Sequence, residues 1–577
     1  MKSKTRTNRI TTGAAFAAAL LLCSCNPGPK YVKPPAQAPA AFKEAPPQEY
    51  KEGVGWKIAE PGDDRIRGNW WEVYNDPQLN ALEEQVKISN QTVVQAEANF
   101  RSARTAVSTA RANLFPTLTA SASYTNSKFS QTARTTSVVP SAAGVTATTG
   151  TTTGSGATST TNGVAGLGTT GVVNTFSLPL DLSYTIDFWH KVRNTIAANT
   201  YTAQANAADV ATALLTTRAE LAQDYFQVRA LDAQRVILRD TLENYRRAVE
   251  LTQTLFRTGL DSEEEVAQAQ TQLDTTTAQA TDLGVSRAQY EHAIAMLIGK
   301  PPAEFSLPVA PFVPRPPAIP LGLPSKLLER RPDIAAAERQ VAAANAQIGV
   351  ARAAYYPNLT LNATGGFETS HFLEWFTWPS RFWSLGPQLA ETIFEAGARR
   401  AATEQAQAAY DVAVANYRQT VLTVFQSVED NLAALRILSE EVVEEHTAVN
   451  SSNRYLDLSM TRYRAGVDSY LNVITAQNTV LTNRETELQI QLRQMTASVS
   501  LIMALGGGWD ISELPKVNAL TAKQAKWTAN GPAQPNAAAV AAPNPPPLTP
   551  VAAVPGAPNN PPPNPVPTSA VGENPPK

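Results

Sequence analysis

Cys23 and Cys25 are the only two thiols among 577 residues. They stand in Leu22-Cys23-Ser24-Cys25, which resembles a lipobox. Its chemistry is lipidation: a diacylglycerol joins the Cys25 sulfur and the chain is cut before it. Asn26 follows where an Asp would signal retention in the inner membrane. Two adjacent thiols can build neither a disulfide framework nor a Cys-rich metal site. The histidines His190, His292, His371 and His446 are scattered, and none falls in a His-Glu-x-x-His spacing. Neither a Walker loop nor a Gly-x-Ser-x-Gly elbow is present. Gly299-Lys300-Pro301-Pro302 lacks the hydroxyl and the upstream glycines of a phosphate loop. Glu263-Glu264-Glu265 could tempt a metal reading, but three acids also suit a solvated helix start. No enzyme is expected, no metal, and no cofactor beyond the covalent lipid on Cys25.

The first 24 residues read as a lipoprotein signal peptide. Lys2, Lys4, Arg6 and Arg9 precede a short apolar run, Ile10 to Leu22, too brief to span a bilayer. Elsewhere no run of 18 apolar residues occurs, so any membrane crossing falls to strands. Lys plus Arg is 48 and Asp plus Glu is 50, giving a formal net charge of −2. That balance excludes a basic nucleic-acid surface.

An internal repeat organises the rest. Ala110-Arg111-Ala112-Asn113-Leu114-Phe115-Pro116 returns 241 positions later as Ala351-Arg352-Ala353-Ala354-Tyr355-Tyr356-Pro357. Phe256-Arg257-Thr258-Gly259-Leu260-Asp261-Ser262 returns 207 positions later as Tyr463-Arg464-Ala465-Gly466-Val467-Asp468-Ser469. The shorter second offset means that the first copy carries extra residues. They are visible as a stretch from Thr135 to Leu180 without one charge. The spacing predicts an extended anchor segment over 25–78 and a first repeat over 79–300, with a polar loop at 128–177. A Pro-rich linker over 301–324 and a second repeat over 325–510 follow. A Pro/Ala-rich tail over 511–577 is expected to be largely disordered.

Each repeat has the same internal order. Leu79 to Leu114 reads as a helix that stops before Pro116. Leu178, Leu180, Leu182, Tyr184 and Ile186 then alternate with Asp181, Ser183 and Thr185, the pattern of a strand between lipid and water. Thr117–Tyr124, Leu359–Thr364 and Trp383–Ile393 are weaker strand candidates, the last weakened by Gly386-Pro387. Val192–Phe256 and Ala398–Tyr463 read as very long helices. Their partners carry heptads: Val266, Leu273, Ala280 and Ile294, interrupted by Arg287, then Ile474, Leu481, Leu488, Met495 and Ile502. Four strands cannot close a membrane barrel, and an open edge cannot face lipid. Several chains must therefore share one barrel.

At this point the chain resembles the TolC-like outer-membrane efflux channels, in the lipoprotein branch serving RND-type pumps. Trp70-Trp71 with Asp76-Pro77, Leu327-Leu328-Glu329-Arg330-Arg331-Pro332-Asp333-Ile334, the paired Gly259 and Gly466 turns, and Ala504-Leu505-Gly506-Gly507-Gly508-Trp509 carry the resemblance. It implies an α+β membrane protein: a homotrimer with a twelve-stranded outer-membrane β-barrel, four strands per chain, continued by a periplasmic α-helical coiled-coil barrel. It implies a passive conduit for small-molecule efflux. The partners would be a periplasmic membrane-fusion adaptor, an inner-membrane RND pump and outer-membrane lipid, with no nucleic acid. An ABC exporter of peptides or proteins would use the same conduit, and a structural envelope scaffold is a third reading.

Gly259 and Gly466 can end helices in the left-handed region. Ser262 with Glu265 reads as a capping box, and Asp468 and Ser469 take the corresponding place in the second copy. The resemblance makes Arg257, Gly259, Leu260, Ser262, Arg464, Gly466, Val467 and Ser469 adaptor contacts. Asp457 and Arg462 are candidates for a charged network that holds a gate shut.

Overall fold

The computed structural model describes residues 26–36, 39, 42–44, 56–58, 68–128, 172–260, 262–317, 319–321 and 327–520. The signal, Cys25, Asp261, most of the uncharged loop and the chain beyond residue 520 lie outside these residues.

Seven helices carry most of the described chain. In the first half α1 is Pro77–Ser89, α2 Gln91–Ala112, α3 Lys191–Arg257 and α4 Glu263–Leu297. In the second half α5 is Pro332–Ala353, α6 Ala398–Arg464 and α7 Tyr470–Ala504. Lengths match in pairs: 22 residues for α2 and α5, 67 for α3 and α6, 35 for α4 and α7. A 67-residue helix is roughly 100 Å long. α3 packs along α4, and α6 along α7. The heptad positions Ile294, Leu481, Leu488, Met495 and Ile502 are buried there. None of the described helices is long and apolar enough to cross a membrane.

The expected helix Leu79–Leu114 is two helices. Asp76 caps α1, accepting from the amides of Gln78 and Leu79, with Pro77 at the first helical position. Asn90 breaks the run, because its side chain accepts from the amides of Thr92 and Val93 and so starts α2. Its Nδ2 also donates to the Leu297 carbonyl at 2.7 Å. The second half makes the same junction with different chemistry: Arg331 Nη1 donates to the Ala504 carbonyl, also at 2.7 Å. Beside each lies a glycine with positive φ. A Cβ at Gly299 would stand 2.3 Å from the Ser89 oxygen, and one at Gly506 would stand 2.1 Å from the Arg330 oxygen. Only glycine permits that approach and that backbone.

The Pro-rich linker is strapped down along its first part. Arg229 Nη1 donates to Pro308 O at 2.8 Å and Arg287 Nη2 to Leu307 O at 2.7 Å. The amides of Leu307 and Ala310 donate to Glu291 and Asp232. Ion pairs Arg229–Asp232, Arg287–Asp232 and Arg287–Glu291 complete the cluster. Ile319–Leu321 then pairs in parallel with Trp56–Ile58. Nearby, Trp70 and Trp71 are buried in the main core with Leu79, Tyr225 and Tyr417. The Arg218 guanidinium lies 4.1 Å over the Trp71 ring.

The two outer segments are also held. Tyr31 donates to Glu338 at 2.5 Å, Asn345 donates to Pro29 O, and Arg436 pairs with Glu44 at 2.8 Å. The tail boundary expected at 511 is displaced, because Leu514 and Leu520 pack against the helices. Leu520 is buried with Val107 and Ala203, and Arg104 donates to the carbonyls of Ala519 and Leu520.

One antiparallel sheet rises from the helices. Its strands are β1 Thr117–Ala120, β2 Ser123–Lys128, β3 Val172–Ile186, β4 Asn358–Thr369 and β5 Arg381–Ala390. β1 and β2 lie in line along β3, β3 pairs with β4, and β4 with β5. The expected single strand Thr117–Tyr124 is thus two pieces. Pro179 of β3 stands opposite the break and has no N–H to give, while its carbonyl accepts from Ser121. Pro387 stands on β5, the edge strand of the sheet within one chain. β3 and β4 each extend beyond their expected ends.

Candidate functional site

The register sorts the sheet into two faces. Phe176, Leu178, Leu180, Leu182, Tyr184 and Ile186 of β3 share a face with Leu359, Leu361 and Phe367 of β4. Trp383, Leu385 and Leu389 of β5 and Leu118 and Tyr124 of β1 and β2 continue it. Trp383 is 81% exposed in the single chain, and Leu118, Leu385 and Leu389 are also exposed. Such a band is unfavourable in water and suits lipid. From Phe176 to Ile186 it runs roughly 35 Å along the strand, enough for a tilted strand to cross the hydrocarbon. Aromatic rings gather at both ends. Trp189 stacks on Tyr356 at 4.4 Å and donates to Pro357 O at the helix end. Phe176, Phe372, Trp375 and Phe376 cluster at the far end. This is the belt expected at two water–lipid boundaries.

The opposite face is a ladder of short polar bonds. Thr364 Oγ1 donates to the Asp181 carboxylate at 2.7 Å, Ser183 Oγ donates to Asn362 Oδ1 at 3.1 Å, and Thr119 Oγ1 donates to the Asp181 backbone oxygen at 3.4 Å. Cross-strand pairs of this kind stabilise a sheet while leaving a wettable surface.

The far end of the helices carries the paired turns. Gly259, at φ +76°, lets its amide reach Phe256 O and that of Leu260 reach Leu255 O. Gly466, at φ +70°, does the same with Tyr463 O, and Val467 with Arg462 O. Both are Schellman ends. Arg257 and Arg464 are the last residues of α3 and α6. Leu260 and Val467 project from the tips, 76% and 67% exposed. Ser262 caps α4, accepting from Glu265 N at 3.3 Å. The Glu265 carboxylate accepts from Tyr470 N at 3.5 Å, joining the two hairpins.

The second turn departs from the expected capping. Ser469 holds the N-cap position without a side-chain cap bond. Asp468 accepts from its own neighbour's amide, Ser469 N, at 3.0 Å and also from Asn472 Nδ2. Arg462 pairs with Asp468 at 3.3 Å, within its own hairpin. Asp457 is exposed and has no ion pair among the described residues. The structure therefore brings Arg462 to Asp468 rather than to Asp457.

Sequence reasoning missed two constellations. Tyr463 and Tyr470, with ring centroids 5.3 Å apart, anchor a small core of Ala248, Val249, Ala269 and Val473 behind the tips. Burial pushes the Tyr470 hydroxyl well above its usual range. The linker clamp was signalled only by Arg287, the residue that breaks the heptad.

A sheet with one lipid-suited and one wettable face, set on helical hairpins whose longer limbs are about 100 Å, suits an outer-membrane channel protein. The chain belongs to the outer membrane efflux protein family, whose model matches residues 82–300 and 323–507. It is 31% identical over 444 residues to the pyoverdine export outer membrane protein OpmQ of Pseudomonas aeruginosa, covering 76% of this chain and 87% of that protein. It is 29% identical to the probable efflux pump outer membrane protein TtgC of Pseudomonas putida, covering 85% and 94%. The solved outer-membrane channel OprN superposes with a TM-score of 0.71 at 26% identity, covering 84% of this chain and all of that one. The protein is an outer-membrane component of efflux.

Proposed function

We propose that three copies of this chain close one twelve-stranded barrel, and that the assembly is the passive outer conduit of a tripartite small-molecule efflux system. The observation that carries this reading is the two-faced sheet with open edges on β5 and on β1–β2. Unpaired backbone cannot face lipid, and four strand tracks are too few to close, so neighbouring copies must supply the missing edges. Lipid on Cys25 would add a second hold on the membrane. Relatives named for pyoverdine export and for toluene efflux support a small-molecule cargo.

The exposed Leu260 and Val467 are the reading's contact points for a periplasmic adaptor, flanked by Arg257, Gly259, Ser262, Arg464, Gly466 and Ser469. Asp457 and Arg462 remain the proposed gate charges, with Arg462 acting through Asp468. The test is crosslinking in intact cells, then mass spectrometry of what is purified with the trimer. An adaptor and an RND pump are expected from the wild type. Leu260→Glu with Val467→Glu should lose both and keep the heat-sensitive trimer. Recovery of an ABC exporter instead would move the reading to peptide or protein secretion. Recovery of cell-wall components alone would revive the scaffold.

A further inference from the structure

The strands of the antiparallel sheet hold four charged residues, and the register separates them by sign. Asp181 and Glu368 share the polar face, since Asp181 pairs with Thr364 and Glu368 with Ser177. Lys128 pairs with Val172, and Arg381 with Phe367, both on the apolar face. Arg381 lies over the Trp378 ring at the far end of the sheet. Among the described residues neither Asp181 nor Glu368 has an ion-pair partner. Asp181 is held by Thr364 Oγ1. Asp187, at the foot of the sheet, is already engaged in capping α3 through the amides of Val192 and Arg193.

We infer that Asp181 and Glu368 set the charge selectivity of the passage, two acidic tiers on the barrel's inner wall that favour cationic over anionic solutes. The inference rests on the closed-barrel reading above, in which the apolar face meets lipid and the polar face lines the bore. Glu368 stands four residues beyond the partner of Asp181, so the tiers are about 13 Å apart along the strand. Three copies would place three carboxylates in each tier. Rings of Asp or Glu attract cations and repel anions, and low-dielectric walls focus that field. The sequence from Thr135 to Leu180 contributes no compensating charge. Because the tiers act through a bore filled with electrolyte, the preference should strengthen as salt falls and the Debye length grows.

The experiment is planar-bilayer recording of the full-length trimer across a potassium chloride gradient. The reversal potential reports the potassium-to-chloride permeability ratio. The wild type should prefer potassium, more so at lower salt. Asp181→Asn with Glu368→Gln should lose most of that preference while still running as a trimer. If that pair fails to assemble, Glu368→Gln alone, at an exposed site, should lose part of it. A conducting variant with an unchanged ratio overturns the inference and leaves the barrel intact. A chloride-preferring wild type also overturns it. A wild-type trimer that never conducts removes the closed-barrel reading, and this inference with it.

Discussion

Arg287 holds three partners at once, the Asp232 and Glu291 carboxylates and the Leu307 carbonyl, and Asp232 in turn pairs with Arg229. Asp232 is almost wholly buried. Removing Arg287 leaves Asp232 with Arg229 alone and takes from Glu291 its ion pair, and breaking a buried pair costs about 3–5 kcal/mol. Arg287→Met should therefore lower the urea midpoint and expose the 301–317 segment to protease. Unaltered proteolysis in that segment would mean that the clamp does not hold the linker. Asp224 offers a pH readout. Burial, then the neighbouring Glu220, pushes its carboxyl up to about 6 from a usual 3.8. A raised carboxylate pKa means that the folded state binds the proton more tightly than the unfolded one. Stability is then greatest below pH 4 as far as this group is concerned, and falls as pH rises toward 6. Asp224→Asn should raise the melting temperature at pH 7.5 and lose that advantage by pH 4, as followed by circular dichroism. An equal gain at both values would remove Asp224 as the cause.

At the scale of elements, the glycine pairs do different work. Gly506 meets the Arg330 carbonyl with no room for a Cβ, whereas Gly466 has open space around it. Gly506→Ala must displace backbone as well as adopt a strained φ, so it should cost clearly more than Gly466→Ala. The latter bears about 1–2 kcal/mol of left-handed strain alone. Equal denaturation midpoints for the two would contradict the close approach. Much of this level was legible beforehand. Gly259 and Gly466 announced the tips because left-handed helix ends need glycine, and the heptads announced the pairing of α3 with α4 and α6 with α7. β3 was legible because its two faces differ in every residue from Leu178 to Ile186 save Pro179. The rest had no local sign. Asn90 ends a helix by its bonds to Thr92, Val93 and Leu297, yet Asn is common in polar Ala-rich runs. The linker clamp joins residues 55 and 79 positions apart, which no periodicity reveals. Arg462 chose Asp468 over Asp457 because the Gly466 turn folds Asp468 back toward α6.

For the whole molecule, the outward surface of α6 leaves Val412, Leu422 and Val443 exposed, and α2 leaves Val94 exposed. In the proposed trimer these helices meet their counterparts in the neighbouring copies. Val412→Glu with Leu422→Glu should convert the trimer to monomer in detergent, as measured by light scattering. A persistent trimer would place the subunit contact elsewhere. The paired lengths of 67 and 35 residues have a further effect on what the gene can tolerate. One residue deleted from α3 alone would pull its tip back by about 1.5 Å and rotate it by roughly 100° against the tip of α6. The two hairpins thus gauge each other, like the two scales of a vernier. Insertions and deletions are free to accumulate where the two copies need not match, as in the extra residues that the first copy carries. Within the helices they should survive only as compensated changes, made in both limbs of both hairpins and in multiples of seven.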